Sequence, residues 1–526
     1  MSSNYDTIII GAGHNGLVAA SYLAKAGQKV LVLEKRSALG GAAGTEEAFP
    51  GFKMNVGAEH AHLFRPEIIE DLGLKAQGLK MKESSVVAHS LNPDGAPLTI
   101  HTDVAKTQKN IAAFSQKDSE RYAEFCEYFP KMALMLREIN LRKPIDPTDF
   151  NAKDLMTWFP VARKLRKMGK KDMPEFLRVL PMCVYDFMNE WFENDFVKGT
   201  LSSKSSTGIQ QGPRAQGTTF MLLYQNGSLN SSGLTPPSII EGGMGALSEA
   251  LAKKAKSLGV TIQTDTGVSG ITVENGKATG VTSDNGEKFS AKRVVSNADP
   301  YQTFMDMVGP EELGLKFVRD TRNIKFKGTT AKLNLALKSL PQFGGDGATS
   351  QDLLTGNIII NPSMNYLERA YDDSKYGKFS QNPCLSMTIP SLLDPTLAPS
   401  GQHVMSVTMQ FAPFHLRESN WKEQSAILAE HILNTIKPHC PNIGDLILHQ
   451  DMITPLDLQN KLSLPEGSIY HGQMGLDQVM FMRPIAGFGG YKTPIDNLYL
   501  CGAGAHPGGG VTGAPGHNAA KAVLAD

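Results

Sequence analysis

The sequence predicts an α/β fold in which a parallel sheet covered by helices alternates along the chain with an α+β domain. Residues 5–34 follow a strand–helix–strand pattern, and residues 498–524 read as a short strand, a glycine-rich turn and a helix. The chain has 526 residues, more than one hydrophobic core usually holds, so two domains are expected.

The composition is that of an ordinary globular protein, with 41% hydrophobic and 20% charged residues. Lys plus Arg and Asp plus Glu both number 52, so no basic excess points to a nucleic-acid partner. We find no apolar run of about 18 residues, the length that a membrane-spanning helix needs.

The five cysteines are scattered, and no two of them form a C-x-x-C pair. Neither a disulfide framework nor a thiol redox pair is predicted, which favours a reducing compartment. Because the sequence runs almost directly from Met1 into a strand pattern, no signal or transit segment is recognised, and a cytoplasmic location is expected.

The opening strand–helix–strand unit carries a dinucleotide fingerprint. The apolar strand Tyr5–Ile10 leads into G-A-G-H-N-G, a helix follows, and a second strand ends at Glu34. The first glycine permits the tight turn, the second lets the backbone approach a pyrophosphate, and the third allows close packing of helix on strand. Glu34 is placed to accept hydrogen bonds from an adenosine ribose. The predicted contacts are Gly11, Ala12, Gly13, His14, Asn15, Gly16 and Glu34.

The residues after Glu34 favour FAD over NAD. A second glycine turn follows an arginine there, and such a loop can wrap the pyrophosphate and ribityl chain of FAD. Arg36 is either part of that loop or a solvated surface charge. A 2′-phosphate is disfavoured because Glu34 would repel it. The predicted FAD site therefore extends to Lys35, Arg36, Gly40, Gly41 and Ala42.

Another glycine-rich turn lies near the C-terminus. The strand pattern Leu498–Cys501 leads into this turn, and a helix is predicted from Asn518. Glycines let the backbone lie against a flat ring, and the N–H groups at a helix start stabilise the negative charge of a reduced flavin. We predict FAD contacts at Gly502, Ala503, Gly510 and Val511.

The arrangement of Glu34, Arg36 and Gly40-Gly41, together with residues 495–520, resembles the flavin family that includes phytoene desaturases, carotenoid isomerases and flavin amine oxidases. The resemblance covers nearly the whole chain and is weakest between Phe150 and Pro237. It implies FAD as cofactor, contact of the Val268 backbone with the adenine end, and a mitochondrial location for animal relatives. His517 departs from the pattern, since relatives often carry arginine there.

Three segments are expected to build the Rossmann-like FAD-binding domain: residues 1–70, 236–300 and 489–526. Residues 71–235 and 301–488 would form the α+β substrate domain, with helices at Ser115–Arg142 and Leu155–Arg178 and strands such as Thr330–Leu337. The glycine cluster at 242–245 lacks a preceding apolar strand and an acidic terminus, so no second nucleotide site is predicted.

The catalytic residues are not identified, but two histidines are candidates. His60 follows the first FAD loop and His506 precedes the flavin-facing glycines, so either could orient a substrate or relay a proton, although a lone histidine is more often structural. Glu59 could bind the ribityl chain or cap a turn. By analogy with some amine oxidases, Lys332 could hold a water near flavin N5. His60 and His62 lack further ligands, so no metal site is predicted.

The segment Lys153–Arg178 combines apolar side chains with a basic run. Such a mixture suits a peripheral membrane contact, although a solvated helix face also accounts for it. The apolar residues are Leu155, Met156, Trp158, Phe159 and Val161, and the basic ones are Arg163, Lys164, Arg166, Lys167, Lys170 and Lys171.

These features predict an FAD-dependent oxidoreductase that moves hydride from a C–H bond of a small molecule to flavin N5. A lipophilic or isoprenoid-like substrate is slightly favoured over an amine. Two alternatives remain open: a redox-neutral, flavin-dependent isomerase of polyenes, and an FAD-stabilised regulatory or interaction protein with little turnover. The sequence does not identify the substrate, the electron acceptor or the oligomeric state.

Overall fold

The computed structural model describes residues 5–93, 95–146, 152–227, 233–343 and 350–526, without the side chains of residues 153 and 154. Within these ranges the strands are β1 (Tyr5–Ile10), β2 (Val30–Leu33), β3 (Thr45–Phe49), β4 (Phe52–Asn55), β5 (Met81–Glu83), β6 (Val86–Ser90), β7 (Leu98–His101), β8 (Ser238–Ile240), β9 (Thr261–Gln263), β10 (Val268–Glu274), β11 (Lys277–Ser283), β12 (Lys288–Ser296), β13 (Thr330–Leu337), β14 (Asn357–Ile360), β15 (Leu385–Thr388), β16 (His403–Gln410), β17 (Ile447–Ile453) and β18 (Leu498–Leu500).

The α-helices in the same ranges are α1 (His14–Lys25), α2 (Pro66–Leu72), α3 (Val104–Ala112), α4 (Gln116–Asn140), α5 (Ala152–Lys167), α6 (Gly169–Val179), α7 (Val184–Trp191), α8 (Asp195–Ser202), α9 (Thr218–Tyr224), α10 (Met244–Ser257), α11 (Leu315–Arg322), α12 (Met364–Lys375), α13 (Trp421–Ile436), α14 (Ile443–Leu446), α15 (Pro455–Leu462) and α16 (Ala514–Ala525). No helix of the described residues is long and apolar enough to cross a membrane.

The first sheet has a parallel core in the order β9-β2-β1-β12-β18. β1 lies at its centre, where Ile8 pairs with Leu31 of β2 on one side and Val294 of β12 on the other. A central parallel strand is buried on both faces, which is why Ile8, Ile9 and Ile10 form an unbroken apolar run. The antiparallel strands β10 and β11 extend the sheet from the start of β12.

Three helices and two hairpin turns complete this domain. Helices α10 and α16 both pack on α1, and the three share a hydrophobic core with the sheet. The turns at Asn275-Gly276 and Asn285-Gly286 connect β10 to β11 and β11 to β12, as these dipeptides predict. Gly276 and Gly286 both have positive φ, 75° and 85°, which the tight turns require.

The second sheet is mixed, in the order β17-β13-β16-β15-β14-β6-β7. Its neighbours are antiparallel except for the parallel pair β14–β6. Helix α13 packs its apolar side chains against this sheet. A separate apolar cluster joins α4, α7, α8 and α9 into a helical layer.

The two sheets take their strands alternately from the chain. The first uses residues 5–33, 261–296 and 498–500, and the second uses residues 86–101 and 330–453. The α/β fold with interleaved domains is therefore confirmed. The segment limits stay a prediction, since the small β5–β8 sheet pairs Met81 with Ile240 across the expected limit at residue 235.

Two expected helices have different bounds. The single helix predicted at Leu155–Arg178 is divided into α5, which ends at Lys167, and α6, which begins at Gly169. Gly169 has a φ of 83°, and a left-handed residue interrupts a continuous helix. The C-terminal helix begins at Ala514 rather than Asn518, because its first turn accommodates Pro515.

Candidate functional site

The loop between β1 and α1 brings backbone close to backbone. Gly11 has a φ of 91°, which favours glycine. A Cβ on Gly16 would lie 2.2 Å from the carbonyl oxygen of Gly11, so only glycine lets α1 approach β1 this closely. Gly13 is the N-cap of α1 and offers no side-chain cap, which leaves the first N–H groups of the helix available to an anion.

Glu34, at the end of β2, holds this loop in place. One of its carboxylate oxygens accepts a hydrogen bond from the Ala12 N–H at 2.7 Å, and the other accepts from the Arg36 N–H at 2.9 Å. The guanidinium of Arg36 forms an ion pair with Glu46. Glu34 and Arg36 both line the cavity described below.

The second glycine turn lies directly beside the first. Gly40 donates its N–H to the carbonyl of Ala12 at 3.0 Å, and its φ of 103° favours glycine. A Cβ on Gly40 would collide with Ser248 of α10. Gly40 therefore lies in close contact with both the first glycine loop and α10. The neighbouring carbonyl of Ala42 accepts a hydrogen bond from the Ala58 N–H at 2.8 Å, which attaches the segment carrying Glu59 and His60.

One cavity of about 430 Å³ runs from these loops to the second sheet. Of the predicted FAD contacts, the lining includes Gly11, Gly13, His14, Asn15, Glu34, Lys35, Arg36, Gly41, Ala42, Val268, Ala503, Gly510 and Val511. Ala12, Gly16, Gly40 and Gly502 lie behind this surface. The cavity thus unites residues from the two ends of the chain and from β10.

The C-terminal turn forms another part of the cavity wall. Tyr224 at the end of α9 donates its hydroxyl hydrogen to the carbonyl of Gly509 at 2.7 Å. Gly510 has a φ of 97°, and a Cβ there would lie 3.0 Å from the side chain of Leu63. The turn continues into Val511 and the N-terminus of α16, where the Ala514 N–H donates to Thr512 Oγ1 at 3.2 Å and Pro515 occupies the first turn.

Glu59 and Lys332 form an ion pair inside the cavity. Lys332 also donates to the carbonyl of Asn55, and Glu59 accepts from Ser406 Oγ at 2.8 Å and Asn55 Nδ2 at 3.1 Å. Burial alone would raise the pKa of Glu59, but the neighbouring Lys332 ammonium outweighs it and holds the pKa below its ordinary value. Glu59 is therefore ionised at neutral pH.

Comparison with known proteins decides what kind of cavity this is. The sequence profile described as flavin containing amine oxidoreductase matches residues 16–524. The chain belongs to this family. FAD is accordingly its cofactor, and the chain is a flavin-dependent oxidoreductase by family.

The relatives cover almost the entire chain. Pyridine nucleotide-disulfide oxidoreductase domain-containing protein 2 of Mus musculus is 36% identical over 100% of this chain and 94% of its own length. A component of the limonene dehydrogenase of Castellaniella defragrans is 28% identical over 99% of this chain and 94% of its own. The phytoene desaturase (lycopene-forming) of Pantoea ananas is 25% identical over 98% of both. The resemblance inferred from the two glycine-rich ends is confirmed.

Solved structures agree on the fold. An oxidoreductase from Methanosarcina mazei has a TM-score of 0.60 at 18% identity, covering 99% of this chain and 100% of its own. Cyclohexylamine oxidase from Brevibacterium oxydans has a TM-score of 0.57 at 15% identity, covering 99% and 98%. At these identities the likeness concerns the fold alone.

The residues present fit FAD. Around the first loop, three buried polar atoms have no hydrogen-bond partner within the described chain: His14 Nε2, Asn15 Oδ1 and Arg36 Nη1. A Cβ on Gly13 would come within 2.7 Å of Asn297 Nδ2, so the loop is a cradle that a larger residue would fill. Donors around a glycine-lined groove at a helix N-terminus suit a pyrophosphate.

His60 and His62 lie in the cavity, at the end near the second sheet. The Nε2 atom of His60 is 3.4 Å from Oδ1 of Asn357 on β14. Burial lowers the pKa of His60 to about 4 and takes that of His62 well below its ordinary value, so both rings are neutral at neutral pH. A neutral imidazole can still donate or accept one hydrogen bond.

His506 is not among the residues that line the cavity, and its side chain is fully buried. Burial lowers its pKa to about 3, so it remains neutral. The sequence placed it next to the flavin-facing glycines, but the chain turns its ring into the protein interior, and we do not retain it as a catalytic candidate. His517 likewise lies outside the lining and packs edge-on against Tyr22 at 5.0 Å.

The water-holding role expected for Lys332 by analogy stays a prediction. Its ammonium is already engaged by Glu59 and by the carbonyl of Asn55, which leaves one of its three hydrogens for a ligand. The described residues contain no group of three or more His, Cys, Asp or Glu that could hold a metal ion.

Sequence reasoning missed two cations of the site. Arg483 is buried, and its guanidinium donates to five backbone carbonyls, those of Tyr470, Gly472, Gln473, Gln478 and Ala503. Lys204, just after α8, lines the cavity near His60 and His62. Neither lies in a recognisable motif, and only the fold brings Lys204 to the cavity and Arg483 to the loops behind its wall.

Proposed function

We propose that this chain is an FAD-dependent dehydrogenase or oxidase that removes hydride from a C–H bond of a small, partly lipophilic molecule. The observation that carries the proposal is the single cavity that leads from the glycine loops of the first sheet to the polar and apolar wall of the second. A substrate bound against the second sheet would face the FAD that the glycine loops are proposed to bind. Positioning of this kind supplies much of the rate enhancement of an enzyme.

FAD, when bound, accepts hydride at N5 of its isoalloxazine ring and supplies the redox chemistry. The chain supplies alignment: N–H groups of α1 for the pyrophosphate, Glu34 for the ribose, Val268 for the adenine end and the Gly510-Val511 backbone for the flat ring. The N-terminus of α16 follows that turn and favours negative charge beside it. Among the described residues that line the cavity, no Ser or Cys nucleophile is paired with a base, so alignment and electrostatics dominate.

The part of the cavity wall that the second sheet forms favours a substrate with an apolar portion. Ile359 of β14, Leu385 of β15, Leu367 of α12 and Cys384 lie side by side with polar groups in the lining. Burial raises the pKa of Cys384 well above its ordinary value, so the thiol stays protonated and acts as a small apolar group. This lining fits a molecule with an apolar portion better than a fully hydrated one.

The test is anaerobic reduction of the purified yellow protein. Phytoene, limonene, prolycopene, putrescine and cyclohexylamine are each added without oxygen, and loss of visible flavin absorbance is followed together with the products. A dehydrogenase or oxidase bleaches stoichiometrically and yields an oxidised product, and readmitted oxygen or a quinone then identifies the acceptor. A changed double-bond geometry with no net bleaching supports the isomerase alternative. Retained FAD that no compound reduces supports the regulatory alternative.

A matched pair of glycine variants tests the cofactor loop. Gly13→Val should lose FAD, because the added side chain fills the space next to Asn297. Gly314→Val is the control, since Gly314 is also a helix N-cap with nearly the same backbone, φ −66° and ψ 144° against −65° and 163°, but has nothing within 4 Å. Full FAD content in Gly13→Val would contradict the assignment of this loop.

We also propose a peripheral contact of α5 and α6 with an anionic membrane surface. Met156 and Phe159 on α5 are 78% and 68% exposed, and Leu155 and Leu177 are exposed as well. The six lysines and arginines of residues 163–171 are all exposed. Exposed apolar side chains flanked by cations match an interfacial helix, and a bilayer could deliver a lipophilic substrate.

All five cysteines are free and buried, which supports a reducing compartment such as the cytoplasm.

Vesicle sedimentation tests this contact. The wild-type chain should sediment with phosphatidylglycerol vesicles and remain free with phosphatidylcholine vesicles. The double variant M156D/F159D should lose binding, whereas Leu315→Asp, at a residue 91% exposed on α11, should retain it. Equal binding of all three proteins, or of none, would contradict the proposal.

A further inference from the structure

Lys204 is a half-buried cation that forms no ion pair with the residues the structure describes. It follows α8, lines the cavity and donates one hydrogen to the carbonyl of Thr235 at 2.9 Å. That carbonyl is the one acceptor that the described residues give it. Two of its three ammonium hydrogens are therefore left for something in the cavity.

The neighbours of Lys204 do not neutralise it. The charge of Lys204 acts on His60 and His62, and burial holds both of these rings neutral. Glu59, which precedes His60 in the sequence, is already paired with Lys332. An ammonium taken out of water without a partner is costly, and burial accordingly lowers the pKa of Lys204 to about 8.

Further unpartnered polar atoms belong to residues of the same cavity. Nδ1 of His60 and the hydroxyls of Thr330 and Thr388 are buried without a hydrogen-bond partner in the described chain. All of these residues line the cavity. Buried polar groups are rarely left unpaired, so this concentration points to a polar ligand rather than to packing alone.

We propose that the substrate carries a carboxylate, which binds to the ammonium of Lys204 beside His60 and His62. The proposal rests on the proposed function, because it names the substrate class of the same cavity. Leu63, next to His62, contacts the position where a Cβ on Gly510 would lie, so this anion site adjoins the C-terminal flavin-facing turn. The substrate would then be amphipathic, with its acid group at Lys204 and its apolar portion along β14 and β15.

The test uses the FAD-loaded protein and two pairs of probes of equal shape, hexanoate with hexanamide and benzoate with benzamide. Binding is measured by isothermal titration calorimetry, and the visible flavin spectrum reports whether the probe lies close to the ring. Each carboxylate should bind about tenfold or more tightly than its amide, because a hydrogen bond to a charged group is worth more than a neutral one. No turnover is needed, so a failure here is distinct from a failure to reduce the flavin.

Variants of Lys204 locate the charge. Lys204→Met should weaken carboxylate binding by about tenfold or more and leave amide binding unchanged, and Lys204→Arg should retain the preference for the acid. Lys198→Met is the control: Lys198 lies on the same segment, is bound to Asp195 at 2.9 Å and does not line the cavity. If Lys204→Met fails to retain FAD, the wild-type acid–amide comparison and Lys204→Arg still decide.

Three results would overturn the proposal. The amides bind as tightly as the acids, or neither acid binds, or Lys204→Met binds the acids as the wild type does. A variant that loses affinity for FAD while carboxylate binding is unaffected would assign Lys204 to the cofactor instead.

Discussion

At the scale of single residues, the cavity separates one satisfied charge pair from one unsatisfied cation. Glu59 and Lys332 neutralise each other and share hydrogen bonds with Asn55 and Ser406. Lys204 has only a backbone carbonyl among the described residues. Removing one member of the first pair would leave a buried charge without compensation, whereas Lys204 can still pair with a charged ligand.

Replacing Lys332 with Met should destabilise the protein by about 3–5 kcal/mol at neutral pH, since Glu59 is left charged and buried. The pKa of Glu59 should then rise, because burial raises it once the ammonium is gone. Chemical unfolding measured from neutral pH to below the ordinary Glu pKa checks this.

The sign of the pH dependence is fixed by the depressed pKa of Glu59 in the folded wild type. Stability from this carboxylate is present above its unfolded pKa and is lost as pH falls through the lower folded value. The cost of Lys332→Met should therefore shrink on acidification, and the double variant E59Q/K332M should recover much of the loss. A cost independent of pH would contradict the ion-pair role.

At the scale of elements, Arg483 connects two of the loops that border the cavity. Arg483 joins the segment 470–478 to the carbonyl of Ala503 and thereby fixes the loop that carries His471 against the end of β18. His471 and Val511 have positive φ, 55° and 57°, in loops that both line the cavity. Backbone strain of this kind persists only where surrounding contacts hold it.

Arg483→Met should therefore lower the free energy of unfolding by at least about 3 kcal/mol, because several buried carbonyls lose their donor together. Arg483→Lys should restore only part of it, since a lysine cannot span five acceptors in the way a planar guanidinium does. Urea unfolding with FAD content as a second readout tests this, with the exposed Arg319→Met as control. Unchanged stability of Arg483→Met would refute the role.

Strands and turns with a clear periodicity or turn dipeptide could be predicted from the sequence, whereas the break between α5 and α6 could not. Tyr5–Ile10, Thr330–Leu337 and the two Asn-Gly turns follow from periodicity and turn chemistry, and the structure has them at those positions. The break at Gly169 was missed because the apolar periodicity continues across it, while one glycine in a left-handed conformation ends the helix.

At the scale of the whole molecule, the cavity exists because the chain passes between the two sheets several times. The first sheet contributes loops from residues near both termini, and the second contributes β13–β16. A ligand held between them binds only the folded arrangement. FAD binding is therefore expected to be coupled to global stability.

Removal of FAD should lower the thermal midpoint of unfolding, and FAD at about a thousand times its dissociation constant should add about 4 kcal/mol. Calorimetry of the apoprotein across a series of FAD concentrations measures this. Gly13→Val should show no such dependence, whereas Gly314→Val should follow the wild type. A midpoint independent of FAD would mean that the cofactor does not bridge the two domains.

By itself, the sequence determined the β–α–β unit, the acidic end of β2, the C-terminal glycine turn and the family to which they point. These are local patterns, because the residues of each motif are recognised from their spacing within one short segment of the chain. Only the tertiary structure decided that His506 faces away from the cavity, that Glu59 neutralises Lys332, and that Lys204 enters the cavity without a counter-charge. These outcomes depend on residues far apart in the sequence, whose burial and pairing have no local signature.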